Sequence, residues 1–381
     1  MKICMAAPYD VTDPLSWSGT PLSIYQTLNR QPGVEVTPLN LSTFYTPQNE
    51  RANLLRHLDL KQSLKAKSLV SRLGPAALNP LNSQILNEQV GAGDYDVLLE
   101  LGGYRKTGDL PPYFVYTDAS HDLTLDFYDK NGVLPYPSRS RTVEEYRRAA
   151  DYVGDIYRQA AGVLCMSEWL AECMVRRTGV SQEKVHVVYA GANWHGVTLP
   201  QNIRPKQISD NKEIHLLLVG VDFGLKGVEL VMDAVKVLNQ QSDRTYLFHV
   251  CGIRNDFEHD EHVINHGFIS KQELIGFLQA SDLFVLPSHY DCFGISFVEA
   301  MTFGLPCVGR ARCAMPEIID EGENGELVHS SDPVELAEKI SRICEDPALY
   351  AAYSQSAMRK AAKFTWDKTA ERMLNAMRSA R

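Results

Sequence analysis

No run of about 20 apolar residues occurs in this chain of 381 residues, so a membrane-spanning helix is not expected. The eight cysteines form no C-x-x-C pair, and several lie inside apolar runs such as GVLCM and YLFHVCG. They read as buried reduced thiols, which excludes a disulfide framework and a cysteine-based zinc site. The start, MKICMAAPYD, holds one lysine and an apolar stretch too short for a secretory signal, so a cytoplasmic protein is expected. A basic excess is missing too: 38 Lys and Arg stand against 47 Asp and Glu, a net charge of −9, which disfavours a nucleic-acid binder. Neither of the turns that could meet a nucleotide, AAPYDVTDPLSWSG and LLLVGVDFGLKG, has the G-x-G-x-x-G of a dinucleotide fold, which counts against a dehydrogenase. Carboxylates and histidines are not clustered at metal-ligand spacing, so no metal is expected.

What is present is alternation. Strand-like runs KICMAA, VEVTPLN, DVLLELG, YFVYTD, GVLCM and VHVVYAG are followed, after a gap, by IHLLLVG, YLFHVCG, HVINHG and LFVLP, with helix-like runs between them. From Thr142 the capping box TVEE opens a helix whose apolar positions keep the 3.6 period. The aperiodic segment LPQNIRPKQISDNK, 199–212, holds two prolines and reads as a linker. Two α/β domains follow, with a closing amphipathic helix, TWDKTAERMLNAMRSA, that Thr365 would cap.

One stretch carries chemistry. In SHYDCFGISFVEAMTFGLPCV, Asp291 sits in a loop after the strand LFVLP, and Glu299 lies eight positions on, inside a helix stopped by Gly304 and Pro306. Eight helical positions span about 12 Å, too far for the paired carboxyls of a glycosidase. The two acids instead suit the two ends of one long polar ligand. Between them, the amides of Phe293, Gly294 and Ile295 at a helix start suit a phosphate. The plain alternative is that Asp291 caps the helix and Glu299 faces solvent. Lys226, at the entrance of the helix after IHLLLVG, is unfavourable for the helix dipole and needs a nearby anion or full solvation.

With these residues in view the chain resembles the retaining nucleotide-sugar glycosyltransferases of family 4. DCFGISFVEAMTFGLPCV is similar to that family's E-x7-E segment, VGVDFGLKG to its phosphate-binding Lys-Gly turn, and MPEIIDEGENGELV to a later glycine-rich turn. HGFISKQELIGFLQASDLFVLPS and MSEWLAECMVRRTGVSQEKVHVVYAGAN resemble further family segments in the same order. The resemblance implies an α/β chain of the GT-B fold: two Rossmann-like, doubly wound domains facing across a cleft. The first, 1–204, would bind acceptor; the second, 205–364, the nucleotide-sugar; and 365–381 would form a helix crossing back to the first domain.

It also implies roles. Asp291 would hold donor-sugar hydroxyls, Glu299 the ribose, Lys226 the diphosphate, and backbone near Phe268 and Ile269 the base. Gly19, in SWSGTPLS, would approach the phosphate, and Asp118 or His121, in YTDASHD, would lie at the donor sugar. The bland reading of His121 is a hydrogen-bonded structural histidine, and of SWSG a surface loop. Two departures stand out: the first acid is Asp where the family has Glu, and the basic partner before the lysine is missing, since 221 is Val and 225 is Leu. The implied reaction moves a sugar from a UDP or GDP sugar to a hydroxyl acceptor, glycan, lipid-linked or small, with retention and without a metal or other cofactor. A nucleotide-sugar epimerase and a catalytically silent sugar-nucleotide binder are the alternatives. Segment 50–74, with six basic residues against Glu50 and Asp59, reads as an amphipathic helix that packs inward or rests on an anionic membrane.

Overall fold

The computed structural model describes residues 1–44, 75–106, 110–135, 142–208, 212–254, 257 and 261–380. The basic segment 50–74 lies outside the described residues. The first domain runs β1 (Lys2–Ala7), α1 (Thr20–Asn29), β2 (Glu35–Asn40), α2 (Pro75–Gly91), β3 (Val97–Glu100), β4 (Tyr113–Thr117), α3 (His121–Asn131), α4 (Val143–Gln159), β5 (Gly162–Cys165), α5 (Glu168–Arg176) and β6 (Val185–Val187). The second runs β7 (Glu213–Val219), α6 (Val228–Gln241), β8 (Thr245–Cys251), β9 (Val263–Asn265), α7 (Lys271–Ala280), β10 (Leu283–Leu286), α8 (Ile295–Thr302), β11 (Cys307–Arg310), α9 (Met315–Ile318), β12 (Gly325–Val328), α10 (Pro333–Cys344) and α11 (Pro347–Ala361). Helix α12 (Trp366–Ser379) closes the described chain.

Each domain is built on a six-stranded parallel sheet, in the orders β2-β1-β3-β4-β5-β6 and β12-β11-β10-β7-β8-β9. Helices cover such sheets on both faces, so the central strands are continuous apolar runs: β3, β5 and β10 are buried at every residue. The helices start where side chains satisfy their first amides. Thr142 with Glu145 and Ser270 with Glu273 form capping boxes, and Ser120, Ser167 and Thr365 cap α3, α5 and α12.

Open parallel sheets take ligands where the strand order reverses, at the carboxyl ends of the strands. In the second sheet that point lies between β7 and β10; in the first, between β1 and β3. The domains touch beside these points. The Glu317 carboxylate of α9 accepts from the amides of Glu168 and Trp169 at the start of α5, both at 2.8 Å, a charge placed on a helix N-terminus of the other domain. The rings of Phe127 and Trp169 meet Tyr290 edge-on, at 5.1 and 5.8 Å between centroids. Helix α12 packs on α1, β5 and β6, so the C-terminal end of the chain does return to the first domain.

Candidate active site

Lys226 and Asp291 come from the two loops that flank the second switch point, after β7 and β10, and their side chains meet at 2.6 Å, mostly buried. The anion that Lys226 needs is therefore Asp291, and the lysine is not a solvated surface residue. Nor does Asp291 cap α8. The cap position is Gly294, in the left-handed region at φ 76, where a Cβ would come within 2.7 Å of Met315 Cε. Among the described residues no acceptor pairs with the amides of Phe293, Gly294 or Ile295, so the start of α8, two to four residues after Asp291, keeps three donors for a ligand.

Glu299 does not face solvent. It is 5% exposed, and its Oε1 takes Lys271 Nζ at 2.5 Å and the Asn193 amide at 3.3 Å. Burial pushes its carboxyl up from the usual carboxylate range, against the pull of Lys271. Lys271 also stands over the Trp194 ring, 5.2 Å from its centroid. Phe268 lies on the surface with the Arg254 guanidinium 4.9 Å above its ring, and Ile269 packs partly into the core.

From the first domain, Asp118 follows β4 and feels the Asp291 charge across the cleft. Burial first, and Asp291 in addition, raise its carboxyl to about 6, while a hydrogen bond from the Trp17 side chain opposes the rise. His121 is the first residue of α3, its ring 6.0 Å from that of Tyr146 on α4.

The SWSG loop is more than a surface turn. Trp17, Ser18 and Gly19 are consecutively left-handed, at φ 42, 56 and 84. A bulky residue in that region costs on the order of 1–3 kcal/mol, so the surroundings must hold it. Asn193 Nδ2 donates to Ser18 O at 2.8 Å, and His195 Nε2 donates to Gly19 O at 3.0 Å. A Cβ on Gly19 would lie 2.7 Å from the His195 ring, which fixes glycine there. Trp17, Asn193, His195 and Lys271 were not among the candidates from sequence. The run ANWHG after the last strand of the first domain was the one local sign of them, a polar and aromatic cluster inside an aperiodic segment. Among the described residues no group of three or more His, Cys, Asp or Glu side chains is placed to hold a metal ion.

The second half of the chain has a counterpart in known proteins. Residues 200–360 match the family Glycosyl transferases group 1. The matched stretch contains Lys226, Lys271, Asp291 and Glu299. A D-inositol 3-phosphate glycosyltransferase of Xylanimonas cellulosilytica is 25% identical over 232 residues, 54% of this chain and 54% of that protein. The chain spans about half the length, or less, of the curated relatives it matches. Sucrose-phosphate synthase from Thermosynechococcus elongatus superposes over 100% of this chain and 98% of its own, with a TM-score of 0.69 at 16% identity. Anabaena Alr3699/HepE, solved with UDP and glucose, superposes over 100% of both chains with a TM-score of 0.61 at 15% identity. At such identities these likenesses bear on the fold, the two-domain architecture of the GT-B glycosyltransferases.

Proposed function

We propose that this chain is a retaining, metal-independent glycosyltransferase that moves a sugar from a nucleoside-diphosphate sugar to a hydroxyl acceptor. The observation that carries the reading is the Lys226–Asp291 pair at 2.6 Å, set beside three unpaired helix-start amides and within electrostatic reach of Asp118 from the facing domain. In the free protein the ammonium and the carboxylate neutralise each other. A donor separates them: diphosphate oxygens replace Asp291 at Lys226, and sugar hydroxyls replace Lys226 at Asp291. The shorter Asp in place of Glu is matched by this direct contact with the lysine.

Cleavage at the anomeric carbon leaves the bonding electron pair on the β-phosphate oxygen. Lys226 and the amides of 293–295 therefore stabilise the transition state more than the bound donor, with no basic residue needed at 221. Asp118 is mostly ionised at neutral pH and accepts from a sugar hydroxyl as positive charge grows on the ring. Retention follows when the acceptor attacks from the leaving-group face and its proton passes to the departing phosphate. Glu299 takes the ribose hydroxyls in exchange for Lys271, the Phe268–Ile269 backbone meets the base, and Gly19 lies toward the phosphate. The UDP and glucose bound by Alr3699/HepE support a UDP-sugar donor, and the name of the inositol-phosphate relative supports a polyol acceptor.

Product analysis in EDTA tests this. Wild-type protein is expected to form a glycoside of unchanged anomeric configuration from donor plus acceptor. Lys226→Ala is expected to lose roughly 10²–10³ in kcat, the usual cost of one such donor. A sugar isomer from donor alone would make the chain an epimerase, binding without turnover would make it a silent binder, and a strict need for Mg²⁺ or Mn²⁺ would overturn the metal-free mechanism.

A further inference from the structure

Asn193 is a side chain with every polar atom engaged, at the point where the two domains and the C-terminal helix meet. It is 2% exposed. Its Nδ2 donates to Ser18 O at 2.8 Å and approaches Thr20 Oγ1 at 3.4 Å; its Oδ1 accepts from Ser23 Oγ at 2.7 Å and from Trp366 Nε1 at 3.1 Å. Ser18 O only accepts and the indole N–H only donates, so the orientation of the amide is fixed. Its backbone N–H donates to Glu299 Oε1 at 3.3 Å. On its other side the left-handed turn that Asn193 holds presents Trp17, whose ring lies 5.8 Å from that of Tyr116 on β4, two residues before Asp118, and whose side chain pulls the Asp118 carboxyl down against its burial. Hydrogen bonds from Glu299 through Asn193 to Ser18 O, and the strained turn whose Trp17 ring rests against Tyr116 of β4, thus lead from the second domain to the strand that carries Asp118.

We propose that Asn193 is a positioning residue that couples the donor-domain carboxylate Glu299 to the reacting-side carboxylate Asp118 through the left-handed turn Trp17–Gly19. The inference rests on the transferase reading for its meaning and on the contacts for its existence. When ribose hydroxyls compete for Glu299, its hold on Lys271 and on the Asn193 amide changes. The segment carrying Asn193 and His195 then adjusts the turn, and Trp17 sets the orientation and acidity of Asp118. Asp118 is tuned from a distance, so loss of Asn193 acts on turnover rather than on capture of the nucleotide.

Asn193→Asp tests the coupling because it keeps volume and the Oδ1 acceptor while setting a carboxylate oxygen against Ser18 O. Trp17→Phe removes the indole donor at the far end while leaving an aromatic ring, smaller by one fused ring, against Tyr116. Protein carrying ¹³C-labelled aspartate carboxyls, with Asp118→Asn for assignment, reports the titration of Asp118 directly. Both variants are expected to titrate Asp118 at higher pH than wild type, since a bond to its ionised form is lost. The double variant is expected to go no further than Trp17→Phe alone. The kcat of Asn193→Asp is expected to fall roughly tenfold or more with the donor KM within about twofold. An unmoved Asp118, additive shifts in the double variant, or an effect confined to donor KM would each overturn the coupling. If Asn193→Asp does not fold, Asn193→Ser, which retains a small donor, is read in the same way. The titration needs no turnover, so wild-type protein that forms no glycoside would sink the transferase reading alone.

Discussion

Asp118 is the residue at which burial and function conflict. Its carboxyl is raised to about 6, mainly by burial, so between about pH 4 and 6 the folded chain holds a proton that the unfolded chain has released. Stability contributed by this group is therefore lost as pH rises through that window. Asp118→Asn keeps an oxygen for the Trp17 side chain and removes the charge. It is expected to stabilise the protein by roughly 1–3 kcal/mol at pH 7.5, with a smaller gain at pH 4.5, in urea unfolding at the two values. Transfer by wild-type protein is expected to decline as pH falls through about 6. A pH-independent gain would show that the variant acts through packing. Lys226 and Asp291 were legible in the sequence as charges in the loops that follow β7 and β10, whereas Asp118 entered only through the family resemblance. The partners of Glu299 were not: Lys271 and Asn193 lie 28 and 106 positions away, and local spacing left only solvent or a ligand as neighbours. Nothing at Trp17 or Ser18 signalled a left-handed backbone either, since neither is Gly or Asn and the contacts that hold the turn come from Asn193 and His195, some 175 positions away.

Elements were far more legible than contacts. Strands such as LFVLP and GVLC lie where apolar runs end in turn residues, and helices begin at Thr142, Ser270 and Thr365 because capping is chemistry between neighbours. The start of α8 is where an element makes the site, and Gly294 is the position on which it depends. Gly294→Ala places a Cβ at φ 76; Met315 Cε, the end of a flexible chain, can yield, but the backbone cannot without tilting the amides of 293–295. A loss of about 1–3 kcal/mol in stability is expected from the conformation alone. Gly322→Ala is the control, at φ 82 with nothing within 4 Å of the new Cβ and remote from the Lys226–Asp291 pair. Both are expected to lower stability by similar amounts, but calorimetric titration with UDP and GDP is expected to show weakened binding for Gly294→Ala alone. Equal affinity in the two variants would remove the helix start from the phosphate site.

At the scale of the molecule, chain order and spatial order part company in the last helix. Helix α12 follows the second domain in sequence, yet Ala370, Met373, Leu374, Ala376 and Met377 are buried where it packs on α1, β5 and β6 of the first. Trp366 Nε1 donates to Ala192 O at 3.0 Å, and the Arg372 guanidinium lies 5.2 Å from the Tyr189 ring centroid, so the segment that follows β6 is held by the same helix. The amphipathic period announces such a helix but not its partner, because any apolar face would accept that stripe. The arrangement predicts an asymmetry. Leu374→Ala removes buried methyl groups and typically costs about 2–5 kcal/mol, and that cost belongs to the domain the helix covers rather than to its neighbour in sequence. Hydrogen exchange followed by mass spectrometry is expected to show faster exchange in Thr20–Asn29, Gly162–Cys165 and Val185–Val187, with protection in β7, β8 and β10 retained. Loss of protection confined to the second sheet would mean that α12 stabilises the second domain, and uniform loss across both sheets would mean that the two domains unfold as one unit.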